Sequence, residues 1–219
     1  MSAVIDIRIK PPMRDSAADA AVVPTPEYGR YDEVYGFAEL LNMTAPELVD
    51  EMERSDVLGI LQAEHEWGSD AEYNDRVAAL LERHPDRFAC GFAAVDPREP
   101  MAAVRELNRA YEELGLRGAI FEPGFLKISP TDACCYPIYS RCFEIGIPVG
   151  LHTGINFSSH GPIKNGRPLL VDRASAPHPY WPGGAVLLED GEPPRCLGLL
   201  DDLGAEQLRV PAPDAVSAG

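Results

Sequence analysis

The stretch from Phe88 to Pro123, FACGFAAVDPREPMAAVRELNRAYEELGLRGAIFEP, predicts a strand, a helix and a second strand in that order. Its first and last eight residues are short apolar runs of strand length. Between them, Leu107, Tyr111 and Leu114 recur at helical spacing. Gly115 follows, where a helix often ends in a left-handed residue. This order indicates a βαβ unit, whose two strands lie parallel.

The same alternation continues on both sides of this unit. Strands are predicted near residues 4–9, 57–63, 88–95, 117–122 and 147–152. One intervening helix has Thr44 and Glu47 in a capping-box pattern. Another begins at Ser69 or Asp70. The sequence therefore predicts an α/β fold with a parallel sheet.

Two such folds fit, a TIM-barrel-like (β/α) barrel and a doubly wound sheet. No Gly-x-Gly-x-x-Gly or Gly-x-x-x-x-Gly-Lys motif occurs, and this favours the barrel. Eight barrel units usually need about 250 residues. Beyond residue 160 Pro and Gly become dense, so we expect an incomplete barrel. We predict a β/α domain over residues 1–173 and a Pro/Gly-rich segment over 174–219, where AVLLE (185–189) is one further apolar run.

Net charge and composition limit the classes of molecule that the chain is expected to bind. The chain has 19 basic and 35 acidic residues and a net charge of −16, which opposes binding to nucleic acid or to anionic membranes. Its apolar runs are shorter than a membrane helix, and the five cysteines form no Cys-x-x-Cys pair. We therefore expect a cytoplasmic protein with reduced thiols. Its expected partners are a small anionic molecule and, across the open edge of an incomplete barrel, a second copy of the chain.

The first predicted strand, VIDIRIKPP (4–12), has charged residues at alternate positions. Alternation places Ile5, Ile7 and Ile9 on one face and Asp6, Arg8 and Lys10 on the other. Arg8 and Asp6 form either a structural ion pair or part of a site that binds a substrate carboxylate. In a barrel, functional side chains gather where strands end. The candidates at the predicted strand ends are Lys10, Glu64 or His65, Asp96, Glu122 and His152.

Two longer stretches carry a family resemblance. HPDRFACGFAAVDPREPMAAVRELNRAYEELGLRGAIFEPG and YPIYSRCFEIGIPVGLHTG resemble the amidohydrolase-related family that includes aminocarboxymuconate-semialdehyde decarboxylase. The likeness covers roughly residues 56 to 173 and makes residues 1–173 an amidohydrolase-like domain. It implies a metal-dependent (β/α)8 barrel. Members hydrolyse C–N or C–O bonds, or decarboxylate aromatic and muconate-like acids.

The resemblance also implies a set of metal ligands. Members carry a His-x-His pair at the end of strand one, one His each on strands five and six, and an Asp on strand eight. His152 in GLHTG matches the strand-five ligand, and His178 in APHPYWPGG corresponds to that on strand six. Arg8 and Lys10 stand where the first pair would be, and no strand-eight motif occurs. We therefore expect no tightly bound cofactor, and zinc or another divalent metal only if the family site is retained.

Three functional hypotheses follow. The first is a hydrolase or decarboxylase acting on a small carboxylate-bearing substrate, with His152 catalytic and with Arg8 and Lys10 binding the substrate. The second is a catalytically inactive relative that binds an anion or a partner chain. The third is an incomplete chain without an independent function.

Overall fold

The computed structural model describes residues 4–23, 36–63, 68–154, 161–175 and 185–189. Six strands form one sheet: β1 (Val4–Ile9), β2 (Val57–Gln62), β3 (Phe88–Ala94), β4 (Gly118–Phe121), β5 (Val149–Thr153) and β6 (Ala185–Glu189). The helices are α1 (Phe37–Leu41), α2 (Ala45–Ser55), α3 (Asp70–Arg83), α4 (Pro100–Glu112), α5 (Pro123–Leu126), α6 (Tyr136–Ile145) and α7 (Pro168–Ser175). Short 3₁₀ turns cover Ala133–Cys135 and Ile163–Gly166.

The sheet has the topology of an incomplete α/β barrel. Every neighbouring pair is parallel, and the strands lie in the order β1 to β6 along the sheet. A doubly wound sheet would reverse its strand order at a switch point. The five predicted strands and their parallel pairing are therefore confirmed. The sixth strand is the AVLLE run, which lies beyond the boundary predicted at residue 173.

Helix starts follow the sequence signals. Thr44 caps α2 and Ser69 caps α3, each in a reciprocal capping box with the glutamate three residues later. Of the two candidates for the start of α3, Ser69 is thus the cap and Asp70 is the first helical residue. Hydrogen bonds to Thr44 and Ser69 lower the pKa values of Glu47 and Glu72.

Apolar side chains pack on both faces of the sheet. On the outer face, strand residues such as Leu61 and Val149 pack against the helices. On the inner face, Ile7, Ile60, Phe92 and Ile120 from four neighbouring strands form a separate buried cluster. Barrels have this arrangement, in which inward-pointing side chains fill the interior and outward-pointing ones hold the helices.

A β-bulge in β1 changes the predicted alternation. Asp6 pairs with Gly59 and Ile9 pairs with Leu61, so β1 has one extra residue relative to β2 between these two pairs. Ile7 consequently lies in the inner cluster, whereas Ile9 packs outside against Met52 of α2. The prediction that the three isoleucines share one face is therefore wrong. The bulge is what brings Arg8 to the inner side beside Ile7.

The described thiols are free and sheltered. Cys90, Cys134, Cys135 and Cys142 are free cysteines. Burial raises the pKa of Cys90 to about 12, and it raises the pKa of Cys135 and Cys142 as well. Within the described segments, no helix is both long enough and apolar enough to cross a bilayer.

Candidate functional site at the strand ends

Three charged or ionisable side chains meet where β1, β4 and β5 end. Glu122 directly follows β4, and its Oε1 lies 3.4 Å from Nδ1 of His152 on β5. The same oxygen lies 3.6 Å from a terminal guanidinium nitrogen of Arg8. The side chains of Glu122 and His152 are only 5% and 6% exposed, whereas that of Arg8 is 24% exposed. One group therefore contains three of the residues singled out in the sequence, Arg8, Glu122 and His152.

Alternation along regular strands accounts for two of these positions. Ile120 belongs to the inner cluster, so Glu122, two residues later, continues on the same side. Val149 and Leu151 pack outside against the helices, which leaves His152 on the inner side. Arg8 reaches this side because of the bulge. The backbone N–H of Arg8 donates to Asp6 Oδ1 at 2.9 Å, while its guanidinium pairs with Glu122.

Short α5 covers the histidine. The ring of Phe125 on α5 stacks on the His152 ring, with centroids 6.3 Å apart and planes 13° apart. Phe125 was missed by the sequence analysis, because a helix of four residues carries no periodic signal. The signal available was its position just after a predicted strand end. The stack limits solvent at the imidazole and fixes the plane of its ring.

A close backbone contact holds the end of β5 in place. The N–H of Gly154 donates to the carbonyl of Gly166 at 2.7 Å. A Cβ on Gly166 would lie 2.6 Å from the Gly154 carbonyl oxygen, so this approach requires glycine. Gly154 itself has φ +95°, in the region that favours glycine. The two glycines thereby fix the backbone next to His152.

Arg8 and Lys10 also border a cavity of about 310 Å³. Its remaining walls are mainly apolar and come from the segment after β1, from α1 and α2, and from Tyr73 of α3. They include Met13, Leu41, Met43 and Leu48. Pro11, Pro12 and Met13 of the segment after β1 contribute to this wall, and residues 24–35 lie outside the described residues.

Hydrogen bonds and ion pairs hold this wall in place. Arg76 donates to the Pro12 carbonyl at 2.8 Å and pairs with Asp15 at 2.7 Å. Arg83 pairs with the other Asp15 oxygen at 2.8 Å. The two arginines lower the pKa of Asp15 to about 2. Ala45 donates its N–H to the Arg14 carbonyl at 2.9 Å, which ties the segment to α2 as well.

The other predicted candidates lie elsewhere. Asp96 is held by its neighbour Arg98, with two nitrogen–oxygen distances of 2.9 and 2.6 Å, and borders a different cavity beside α3 and α4. Glu64, His65 and His178 lie outside the described residues. The structure thus brings together three predicted candidates, Arg8, Glu122 and His152, and places Lys10 in the lining of the cavity that Arg8 also borders.

The described residues do not fit a divalent metal centre. Within the ranges given above, no three His, Cys, Asp or Glu side chains converge into a group able to hold a metal ion. A dication bound to Glu122 would be repelled by the Arg8 guanidinium, a nitrogen of which lies 3.6 Å from Glu122 Oε1. Arg8 cannot lose its proton to relieve this repulsion. Arg8 thus places a positive charge of the protein itself beside Glu122.

Fold and site together define an α/β barrel protein with its ionisable residues at the carboxyl ends of the strands. Residues 9–192 match the family model described as amidohydrolase, so the chain belongs to the amidohydrolase family. Gamma-resorcylate decarboxylase from Rhodococcus jostii is 32% identical over 108 residues, which are 45% of this chain and 32% of that enzyme. The matched part is thus about a third of that relative's length.

Solved structures agree on the fold. An uncharacterised TIM-barrel protein from Bordetella bronchiseptica has a TM-score of 0.61 and 22% identity, over 86% of this chain and 66% of that one. A 5-carboxyvanillate decarboxylase from Novosphingobium aromaticivorans, complexed with manganese and 4-hydroxy-3-methoxy-5-nitrobenzoic acid, has a TM-score of 0.53 and 19% identity. That match covers 78% of this chain and 55% of the enzyme.

Proposed function

We propose that this protein binds a small carboxylate-bearing molecule at the carboxyl ends of β1, β4 and β5, and that it carries out hydrolase or decarboxylase chemistry there. The observation that carries the proposal is the position of Arg8. Its guanidinium is partly buried and lies beside Glu122, which contacts His152, and Arg8 also lines the cavity.

The local charge favours an anion. Arg8 and Lys10 contribute two positive charges, and Glu122 contributes one negative charge. The group is therefore net positive even with His152 neutral, in a chain whose net charge is −16. A guanidinium presents a planar fork of donors that matches a carboxylate. The relatives point to the same ligand class, because gamma-resorcylate and 5-carboxyvanillate are both carboxylates.

His152 is the group that can move a proton. A neutral imidazole accepts one proton and an imidazolium donates one near neutral pH. Glu122 Oε1 lies 3.4 Å from Nδ1 and orients the ring. In a decarboxylation, the carbon that loses carbon dioxide takes up a proton, and His152 would supply it. In a hydrolysis, the same ring would accept a proton from the attacking water.

We include in the proposal that the carboxylate is held by protein cations, without a tightly bound divalent metal. The family resemblance puts Arg8 and Lys10 at the positions of the His-x-His pair, and the Arg8 guanidinium lies 3.6 Å from Glu122 Oε1. The manganese of the 5-carboxyvanillate decarboxylase shows that a solved neighbour binds a metal, so this chain would differ from it in the source of its positive charge.

A catalytically inactive, anion-binding relative is the second candidate, favoured by the cations at the family's ligand positions. One experiment separates the two. Gamma-resorcylate is titrated calorimetrically into the wild type and the His152→Asn variant, and carbon dioxide release is measured in the same samples. Turnover that His152→Asn abolishes supports an enzyme. Binding without turnover in both proteins supports the inactive relative. No binding to a folded wild type overturns the carboxylate site.

A further inference from the structure

The cavity beside Arg8 and Lys10 has walls that suit a flexible alkyl group. Its apolar lining consists mainly of leucine, methionine and proline side chains, and Tyr73 is the one aromatic residue that borders it within the described residues. Methionine adapts its shape to irregular alkyl groups. An aromatic acid would instead find a flat ring at the Phe125–His152 stack on the inner side of the barrel.

The lining of this apolar space includes two basic residues, Arg8 and Lys10. Arg8 and Lys10 come from the end of β1, whereas Leu41, Met43 and Leu48 belong to α1, α2 and their connection. A ligand that matches this lining carries a negative group for the two cations and apolar atoms along the rest. At roughly 30 Å³ for a water-sized group, 310 Å³ holds about ten non-hydrogen atoms, which is the size of octanoate.

The walls are fixed before any ligand arrives. Arg76 and Arg83 pair with Asp15, and Arg76 also bonds the carbonyl of Pro12, which borders the cavity. Asn42, next to the lining residue Met43, donates from its amide to the carbonyls of Val22 and Ala38. A preformed apolar cavity gains affinity from each buried methylene without an ordering cost in the protein.

We propose that this cavity binds the tail of an aliphatic monocarboxylate of medium length, with its carboxylate at Arg8 and Lys10. The inference rests on the carboxylate site of the proposed function, because the same two cations hold the anionic end. It goes beyond that function in assigning the tail to the space between the end of β1 and helices α1 and α2.

The test is a chain-length series. Acetate, butanoate, hexanoate and octanoate are titrated into the full-length wild type by calorimetry, with 1-octanol as a control that lacks the charge. We expect the dissociation constant to fall about fourfold for each added methylene up to octanoate, and 1-octanol to bind far more weakly. Equal affinity across the series would overturn the alkyl site, even where gamma-resorcylate still binds in an Arg8-dependent way. If the folded wild type binds neither these acids nor gamma-resorcylate, both the alkyl site and the proposed function are overturned.

A cavity-filling variant tests where the alkyl tail binds. Leu48→Phe fills part of the cavity and is expected to weaken octanoate at least tenfold while leaving gamma-resorcylate unchanged. Leu169→Phe is the matched control, since Leu169 is 75% exposed on α7 and does not border the cavity. Leu41→Phe repeats the test from another wall if Leu48→Phe fails to fold. Unchanged octanoate affinity in a folded cavity variant would contradict the placement.

Discussion

Replacing Arg8 by Gln removes the cation that links Glu122 to the anion site. A charge-assisted hydrogen bond contributes about 1.5–3 kcal/mol, so gamma-resorcylate should bind roughly 10- to 150-fold more weakly. Arg8→Lys keeps the positive charge but not the planar guanidinium, so it should lose less affinity than Arg8→Gln. Arg98→Gln is the matched control, because Arg98 pairs with Asp96 at the border of the other cavity. Calorimetric titration of the four proteins measures these differences.

Arg8 also contributes to stability, and this effect must be separated from binding. Its removal leaves the carboxylate of Glu122, which is 5% exposed, without the Arg8 charge. Because the pair is 3.6 Å long and Arg8 is partly exposed, we expect a loss of about 1–3 kcal/mol, less than for a fully buried pair. The double variant Arg8→Gln with Glu122→Gln should regain stability without regaining affinity. Recovery of both, or wild-type affinity in folded Arg8→Gln, would refute the role of Arg8.

Four further outcomes are expected. Asp15→Asn should destabilise the protein by about 1 kcal/mol at pH 7, a value that allows for solvent screening of a half-exposed group. The pKa of Asp15 in the folded protein is lowered from 3.8 to about 2. The stabilisation by Asp15 should therefore fade as the pH falls from 4 to 2, as denaturant titrations would measure. Gly166→Ala should destabilise by about 1–3 kcal/mol in thermal melts, through its clash with the Gly154 carbonyl. Phe125→Ala should speed modification of His152 by diethylpyrocarbonate, followed by mass spectrometry, because it removes the stacked ring. Light scattering should show self-association, since β1 and β6 are the edges of the described sheet; a monodisperse monomer would contradict this.

Much of the fold could be predicted, because its local signals agree with its tertiary structure. Apolar runs of strand length, the Thr44 and Ser69 caps and the parallel order all follow from short-range patterns. The bulge in β1 could not be predicted, because it depends on how β1 pairs with β2. Strand β6 was recognised as an apolar run without being assigned to the sheet. The residues around it are rich in Pro and Gly, and they lack the regular helical spacing of the segments that separate the other strands.

The sequence pointed to individual residues of the candidate site, but it did not predict how those residues are arranged in space. Strand-end positions pointed to Lys10, Glu122 and His152, since parallel strands end at one side of a barrel, whereas Arg8 was singled out by the family resemblance. Regular alternation put Arg8 on the opposite face from Ile7, yet the bulge turns both inward. The role of Glu122 depends on distances among three strands, which no local pattern encodes.

The most direct test of a site built on a protein cation is carboxylate binding after metal removal. The wild type is dialysed against a chelator, its metal content is measured by mass spectrometry, and gamma-resorcylate is then titrated with and without added Mn²⁺. The Arg8-based account predicts a metal-free protein that binds the carboxylate with the same affinity in both titrations. A stoichiometric metal whose removal abolishes binding, and whose return restores it, would contradict that account.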